Sequence, residues 1–247
     1  MTTLAYIFLF AMLGSLGANG AAGIILALPE RLTRWLVPHL ISYAIGVLLA
    51  AALLNMIPYA LAILAPKTAM ATVLAGLVGF FVLESLLLWR HCHEQDCPIH
   101  GTSGTLILIG NAFHNFVDGL VIAAAFIASV PVGVTASLAI IAHEIPKDAG
   151  DFGILLHSGF SRRKAFVCNT LSTSTTLVGA LAGYIGIQAL RPMAPYILCV
   201  SAASFLYISL ADLIPGRRGR KGIVALVVEL VLIAAGVMTI ATLRMRS

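Results

Sequence analysis

The chain has 247 residues, of which 60% are hydrophobic and only 10% charged, with a mean hydropathy of +1.01. An ordinary soluble domain carries about 25% charged residues, so this composition excludes one and places the chain among integral membrane proteins, with the lipid bilayer as its surroundings. The net charge of +5 belongs to loops between apolar runs and gives no reason to expect a nucleic-acid partner.

A helix that crosses a bilayer needs roughly 20 mostly apolar residues. Such runs fall at about 4–28, 38–64, 67–89, 104–129, 131–158, 163–188, 194–215 and 222–243. The first lacks the basic head of a signal peptide, its first charge being Glu30, and reads as the first spanning helix. Pro38, Pro66, Pro131, Pro192 and Pro195 mark connections, as helix ends favour. Lys and Arg divide unevenly between alternate loops. One side holds Arg31, Arg34, Arg90, Arg162, Arg163, Lys164, Arg217, Arg218, Arg220 and Lys221; the other holds Lys67, Arg191, Arg244 and Arg246. The richer side is expected in the cytosol, which leaves both termini outside. The expected fold is all-α: eight transmembrane helices forming a single domain over 1–247.

The third connection, 90–104, is the most polar and is expected in the cytosol. It contains His91, Cys92, His93, Glu94, Asp96, Cys97 and His100. It reads either as a segment that collects or senses a metal or as a solvated connector, since its spacing matches no closed zinc motif. The segment Ala52–Pro58 (A-L-L-N-M-I-P) is echoed by Ser209–Pro215 (S-L-A-D-L-I-P), aligning Asn55 with Asp212. This suggests an inverted repeat in which helices 1–3 match 6–8 around a central pair, although apolar helices share so few residue types that chance produces such echoes too.

Two polar stripes interrupt the fourth and fifth runs. Asn111, His114, Asn115 and Asp118 lie on one face of a helix, as do His143, Glu144, Lys147, Asp148 and Asp151. A charged group at the centre of a spanning helix costs about 2.5–3.5 kcal/mol on insertion scales, so several are kept only with partners. Two imidazoles and several carboxylates supply nitrogen and oxygen ligands for a divalent transition metal. His114, Asp118 and His143 are the expected direct ligands, with Asn115, Glu144 and Asp148 completing the metal-binding set. Pro146 is expected to free the carbonyl of Ala142 and to open space beside the site. On the sixth run, Asn169, Ser172, Thr173 and Thr176 form another stripe, which lines a hydrated path or eases helix packing. Glu84 and Asp212 are either ligands of an exit path or solvated acids.

Through these stripes the sequence resembles the ZIP (Zrt/Irt-like) family of divalent metal transporters, in the branch with H-N-x-x-D-G and H-E-x-P-H-E-x-G-D. The first motif is met at His114, Asn115, Asp118 and Gly119, and the second at His143, Glu144, Pro146, Gly150 and Asp151. The resemblance implies eight helices in a 3+2+3 inverted arrangement, a binuclear metal centre between helices 4 and 5, metal movement toward the cytosol, and often a homodimer. Three places depart from it. Lys147 and Asp148 replace a ligand and a Glu; Ala51, Asn55 and Tyr59 replace an Asp and two His; Gly216 stands where an acid is common. Lys147 either takes the second metal position as a built-in cation, paired with Glu144 or Asp118, or ligates as a neutral amine.

The expected function is transport of a divalent transition metal, zinc foremost, with iron, manganese and cadmium open, through a non-enzymatic site between helices 4 and 5. The alternative is an intramembrane zinc metalloprotease, because H-E-I-P-K is a degenerate H-E-x-x-H. Short loops and the absence of an ectodomain suggest a bacterial cytoplasmic membrane.

Overall fold

A computed structural model describes residues 2–91, 100–189, 191–213 and 222–245. The Cys- and His-rich segment 92–99 lies outside them. The described residues contain helices and no strand. In order they are α1 (Thr3–Met12), α2 (Ala18–Ala27), α3 (Glu30–Ala50), α4 (Ile57–Leu61), α5 (Pro66–His91), α6 (His100–Ala128), α7 (Val130–His157), α8 (Arg162–Thr173), α9 (Thr175–Ala189), α10 (Ala194–Tyr207) and α11 (Ile223–Met245). Wider π-helical turns at Leu13–Gly17, Ala51–Met56 and Ile208–Leu213 join or extend α1, α3 and α10.

Helix starts follow capping chemistry. Thr2, Ser129 and Ser161 each accept, through the side chain, a backbone N–H three residues on, which relieves one of the unpaired donors of a first turn. Pro131 and Pro195 sit in first turns, where a missing N–H costs nothing. Pro38 departs from expectation: it lies inside α3, which already begins at Glu30 behind Pro29. Proline lacks the donor for the carbonyl one turn back, but a helix tolerates this in a membrane when neighbours help. One turn beyond the Arg34 carbonyl that Pro38 leaves unpaired by its missing N–H, Ser42 Oγ donates to the carbonyl of Pro38 itself at 2.9 Å.

Among the described residues, six helical stretches are long and apolar enough to cross a membrane: Thr3–Ala27, Glu30–Leu61, Leu108–Ala128, Arg162–Gly186, Ala194–Ala211 and Ile223–Leu243. The two other expected runs coincide with α5, whose apolar stretch is the shorter Pro66–Val82, and α7, which is 28 residues long but carries Glu144, Lys147, Asp148 and Asp151. Their charges explain why apolarity alone passes α7 over.

Packing is close wherever small residues meet. Apolar side chains gain little by leaving lipid for protein, so helix association in a membrane leans on backbone approach and hydrogen bonds. α6 lies along α9, where a Cβ at Gly119 would come 2.0 Å from the Thr176 carbonyl oxygen, and one at Gly179 would come equally near the Phe116 oxygen. Only glycine fits at either position. Ser172 and Thr175 add hydroxyl donors to the carbonyls of Leu108 and Ala112 at 2.7 and 2.6 Å. Elsewhere α3 lies on α11 and α5 on α10. Gly46 faces the Ile233 backbone, and Gly76 faces Ala203. Around the polar stripes, α2, α6, α7 and α8 enclose one interior.

Candidate metal centre

α6 and α7 run side by side and bring their stripes together. His114 and Asp118 are one turn apart on α6, so both side chains leave the helix in the same direction. His143 and Glu144 face them from α7. These four residues form a group whose ligand atoms all lie within 4.8 Å of one another. The His114 Nε2 to His143 Nε2 distance is 3.4 Å, and His114 Nε2 lies 3.5 Å from Asp118 Oδ2 and 3.4 Å from Glu144 Oε1. His143 Nε2 lies 3.5 Å from each of the same two oxygens. A tetrahedron whose arms are about 2.1 Å, as for zinc bound to nitrogen and oxygen, has edges of about 3.4 Å. The five edges that involve an imidazole agree with it, and the sixth, between the two carboxylate oxygens, lies within 4.8 Å.

The orientation of the donors fits as well. His143 donates from Nδ1 to the Ala139 carbonyl at 2.9 Å. Its Nε2 then carries a lone pair toward His114, as the outer bonds of metal-binding histidines usually arrange. The His143 ring also meets the Phe205 ring edge at 6.0 Å between centroids. Asp118 Oδ2 and Glu144 Oε2 are buried and receive no hydrogen bond among the described residues. Buried acceptors without donors are rare enough to need a reason, and for Asp118 Oδ2, which faces both imidazoles, a cation supplies one. His143, Asp118 and Glu144 are buried, whereas the side chain of His114 is 29% exposed and that of Lys147 26% exposed. The group is therefore least enclosed on the side of these two.

Lys147 donates from Nζ to Glu144 Oε1 at 2.7 Å, the Glu partner anticipated for it. Two expected site residues are engaged elsewhere. Asn115 donates to the backbone and side-chain oxygens of Asn111 and accepts from Thr176 Oγ1 at 3.0 Å. Asp148 Oδ1 accepts from Asn169 Nδ2 at 3.1 Å. Of the sixth-run stripe, Ser172 and Thr176 bond α6, and Asn169 joins three neighbouring helices. The side chains of Glu84 and Asp212 are not among those described. Two contributors had not been singled out, Asn19 on α2 and Phe205 on α10. Asn19 carried a signal, an amide alone in an apolar run; Phe205 carried none.

A family model described as ZIP zinc transporter matches residues 90–244. The chain belongs to the ZIP zinc transporter family. Zinc transporter ZIP13 of Pongo abelii is 32% identical over 224 residues, covering 82% of this chain and 65% of that protein. Zinc transporter ZIP10 of Homo sapiens is 35% identical over 139 residues, covering 51% of this chain. Zinc transporter ZIP4 of Homo sapiens is 40% identical over 111 residues, covering 44% of this chain. The chain spans only 17% of the length of each of these two human relatives. ZIP proteins are transporters and not enzymes, which removes the metalloprotease alternative. Membership and the apolar helices make this a multi-pass integral membrane protein. These relatives are animal proteins, so they lend no support to a bacterial cytoplasmic membrane.

Proposed function

We propose that this ZIP protein carries a divalent transition metal, zinc foremost, across the membrane toward the cytosol, and that the ion passes through His114, Asp118, His143 and Glu144. The observation that carries the proposal is the convergence of two imidazole nitrogens and two carboxylate oxygens within 4.8 Å of one another, three of the four residues buried. Imidazole with carboxylate suits zinc, and also ferrous iron, manganese and cadmium, so selectivity among them rests on geometry and supply. The ion is substrate: it must bind well enough to enter and loosely enough to leave.

The reading includes one ion at the centre rather than two. Lys147 already sets a positive charge on Glu144 Oε1, an oxygen of the central group, so a second ion beside it would meet a fixed cation. It also includes eight spans with both termini outside, supported by the loop charges. A 3+2+3 inverted repeat is supported by two matching features. The π-turns Ala51–Met56 and Ile208–Leu213 fall on the two echoing segments. The offset that aligns Asn55 with Asp212 also carries the close pair Gly46–Ile233 onto Ala203–Gly76. A homodimer is the assembly that the family resemblance implies.

The test is uptake into proteoliposomes with competing Zn2+, Fe2+, Mn2+ and Cd2+. Wild type is expected to move Zn2+ and His143→Ala to lose it. No flux of any of these ions under any imposed gradient would sink the proposal. Elemental analysis of the purified chain is expected to give one ion at the centre.

A further inference from the structure

Away from the metal centre, cations from α3 and α8 gather at the end of α2. Asn19 on α2 donates from Nδ2 to Thr170 Oγ1 on α8 at 2.7 Å, and four residues on, a Cβ at Gly23 would come 3.1 Å from the Phe166 ring. The two helices are therefore antiparallel and in step. One further turn brings Ala27, the last residue of α2, level with Arg162, the first of α8. The chain then turns at Pro29 into α3, whose first turn is tied back to α2 by Thr33 Oγ1, which donates to the Ile25 carbonyl at 2.8 Å. Arg31 and Arg162 thus border one helix end.

The surface around that end has two characters. Arg31, Arg162, Arg163 and Lys164 are exposed, and the stretches 29–35 and 160–165 carry two and three basic residues against a single acid, Glu30. On the same face of α3 as Arg31, Trp35 is 57% exposed and Leu32 43%. The Trp35 ring lies against His39, 4.5 Å between centroids, which fixes its direction. A face turned only to water gains nothing from an indole and a leucine held open beside guanidinium groups. Where bilayer meets water both are used: tryptophan sits at headgroup level, and basic side chains beside it attract anionic lipid.

We infer that Arg31, Trp35 and Arg162, with Arg163 and Lys164, form a docking surface for the headgroups of anionic phospholipids. Guanidinium groups pair with phosphate through two parallel hydrogen bonds, and the indole packs beside them at the level of the glycerol. The leaflet is the cytosolic one under the orientation proposed above. α2 and α8 also carry Asn19 and Asn169, which bond to one another beside Asp148, so lipid held across their ends braces the helices that flank the centre. The inference stands apart from the transport reading, and its test reads lipid alone.

The chain has two tryptophans, so Trp89→Phe leaves Trp35 as the only reporter. The full chain is reconstituted into phosphatidylcholine vesicles with rising fractions of brominated phosphatidylglycerol or brominated phosphatidylcholine, and quenching of Trp35 fluorescence is followed. Phosphatidylglycerol is expected to reach half-quenching at a mole fraction about threefold or more below that of phosphatidylcholine. Arg31→Gln with Arg162→Gln is expected to remove this preference. Lys67→Gln with Arg191→Gln, the same loss of charge in loops assigned to the other side, is expected to keep it. The inference is overturned if the two lipids quench alike in the parent chain, if the arginine pair variant keeps the preference, or if both pair variants lose it equally. Should the arginine pair variant not be recovered folded, an unchanged preference in Arg31→Gln and in Arg162→Gln singly overturns it. Abolition of the preference by inorganic phosphate at the concentration of the lipid would assign the surface to a free anion and overturn the lipid reading.

Discussion

Because the Ala139 carbonyl takes the Nδ1 proton of His143, the other ring nitrogen meets the centre as a lone pair, and a side chain without that pairing cannot replace it. His143→Ala should weaken Zn2+ binding by about a hundredfold, measured by calorimetry on purified protein. Lys147 acts in the opposite direction. An ammonium a few ångströms from a dication opposes it by several kcal/mol even at an effective dielectric of about 20. Lys147→Met should therefore tighten Zn2+ binding by about tenfold or more and slow its release in flux assays; unchanged affinity would show that the ammonium and the ion do not compete. The four residues of the central group were legible as members of helical stripes because spacing alone decides which residues share a face. What the stripes could not show is which neighbour each side chain meets. Asn115 is adjacent to His114 yet turns to Asn111 and Thr176, and Asp148 turns to Asn169, because α8 and α9 supply partners that no spacing on α6 or α7 reveals.

Among the helices, the same motif glycines divide into two kinds. Gly119 is pressed against the backbone of α9, whereas a Cβ at Gly150 would meet nothing within 4 Å. Gly119→Leu should cost at least about 1–3 kcal/mol through overpacking, seen as a lower unfolding temperature or loss of monodisperse protein. Gly150→Ala should change stability by no more than about 1 kcal/mol, in the favourable direction, by raising helix propensity. Equal damage from both would mean that Gly150 is constrained by something other than packing within one chain. The sequence marked Gly119 as part of a motif but offered no cause, since the cause is a carbonyl of Thr176, far along the chain. Helix starts were more legible, because Ser129 and Ser161 cap locally. Pro38 misled for the reverse reason: proline is a boundary signal in water, and α3 carries it within a helix that Pro29 begins.

For the molecule as a whole, the uneven loop charges and the apolar runs were enough to anticipate an all-helical membrane protein, and they lead to a topology that can be tested. Single cysteines at Ser161 and Lys67, in a chain cleared of its own cysteines, should react with an impermeant maleimide from opposite sides, Ser161 from the cytosol. Labelling of both from one side would overturn the proposed orientation. The contacts along α6 and α9 carry a further consequence. With glycine on each helix seated in the other's backbone, and the Thr175 hydroxyl tied to the Ala112 carbonyl between them, these two rods have no slack along their shared seam. On the proposed reading, release of the ion is expected at a different seam, such as the edge where the His143 ring meets the Phe205 ring.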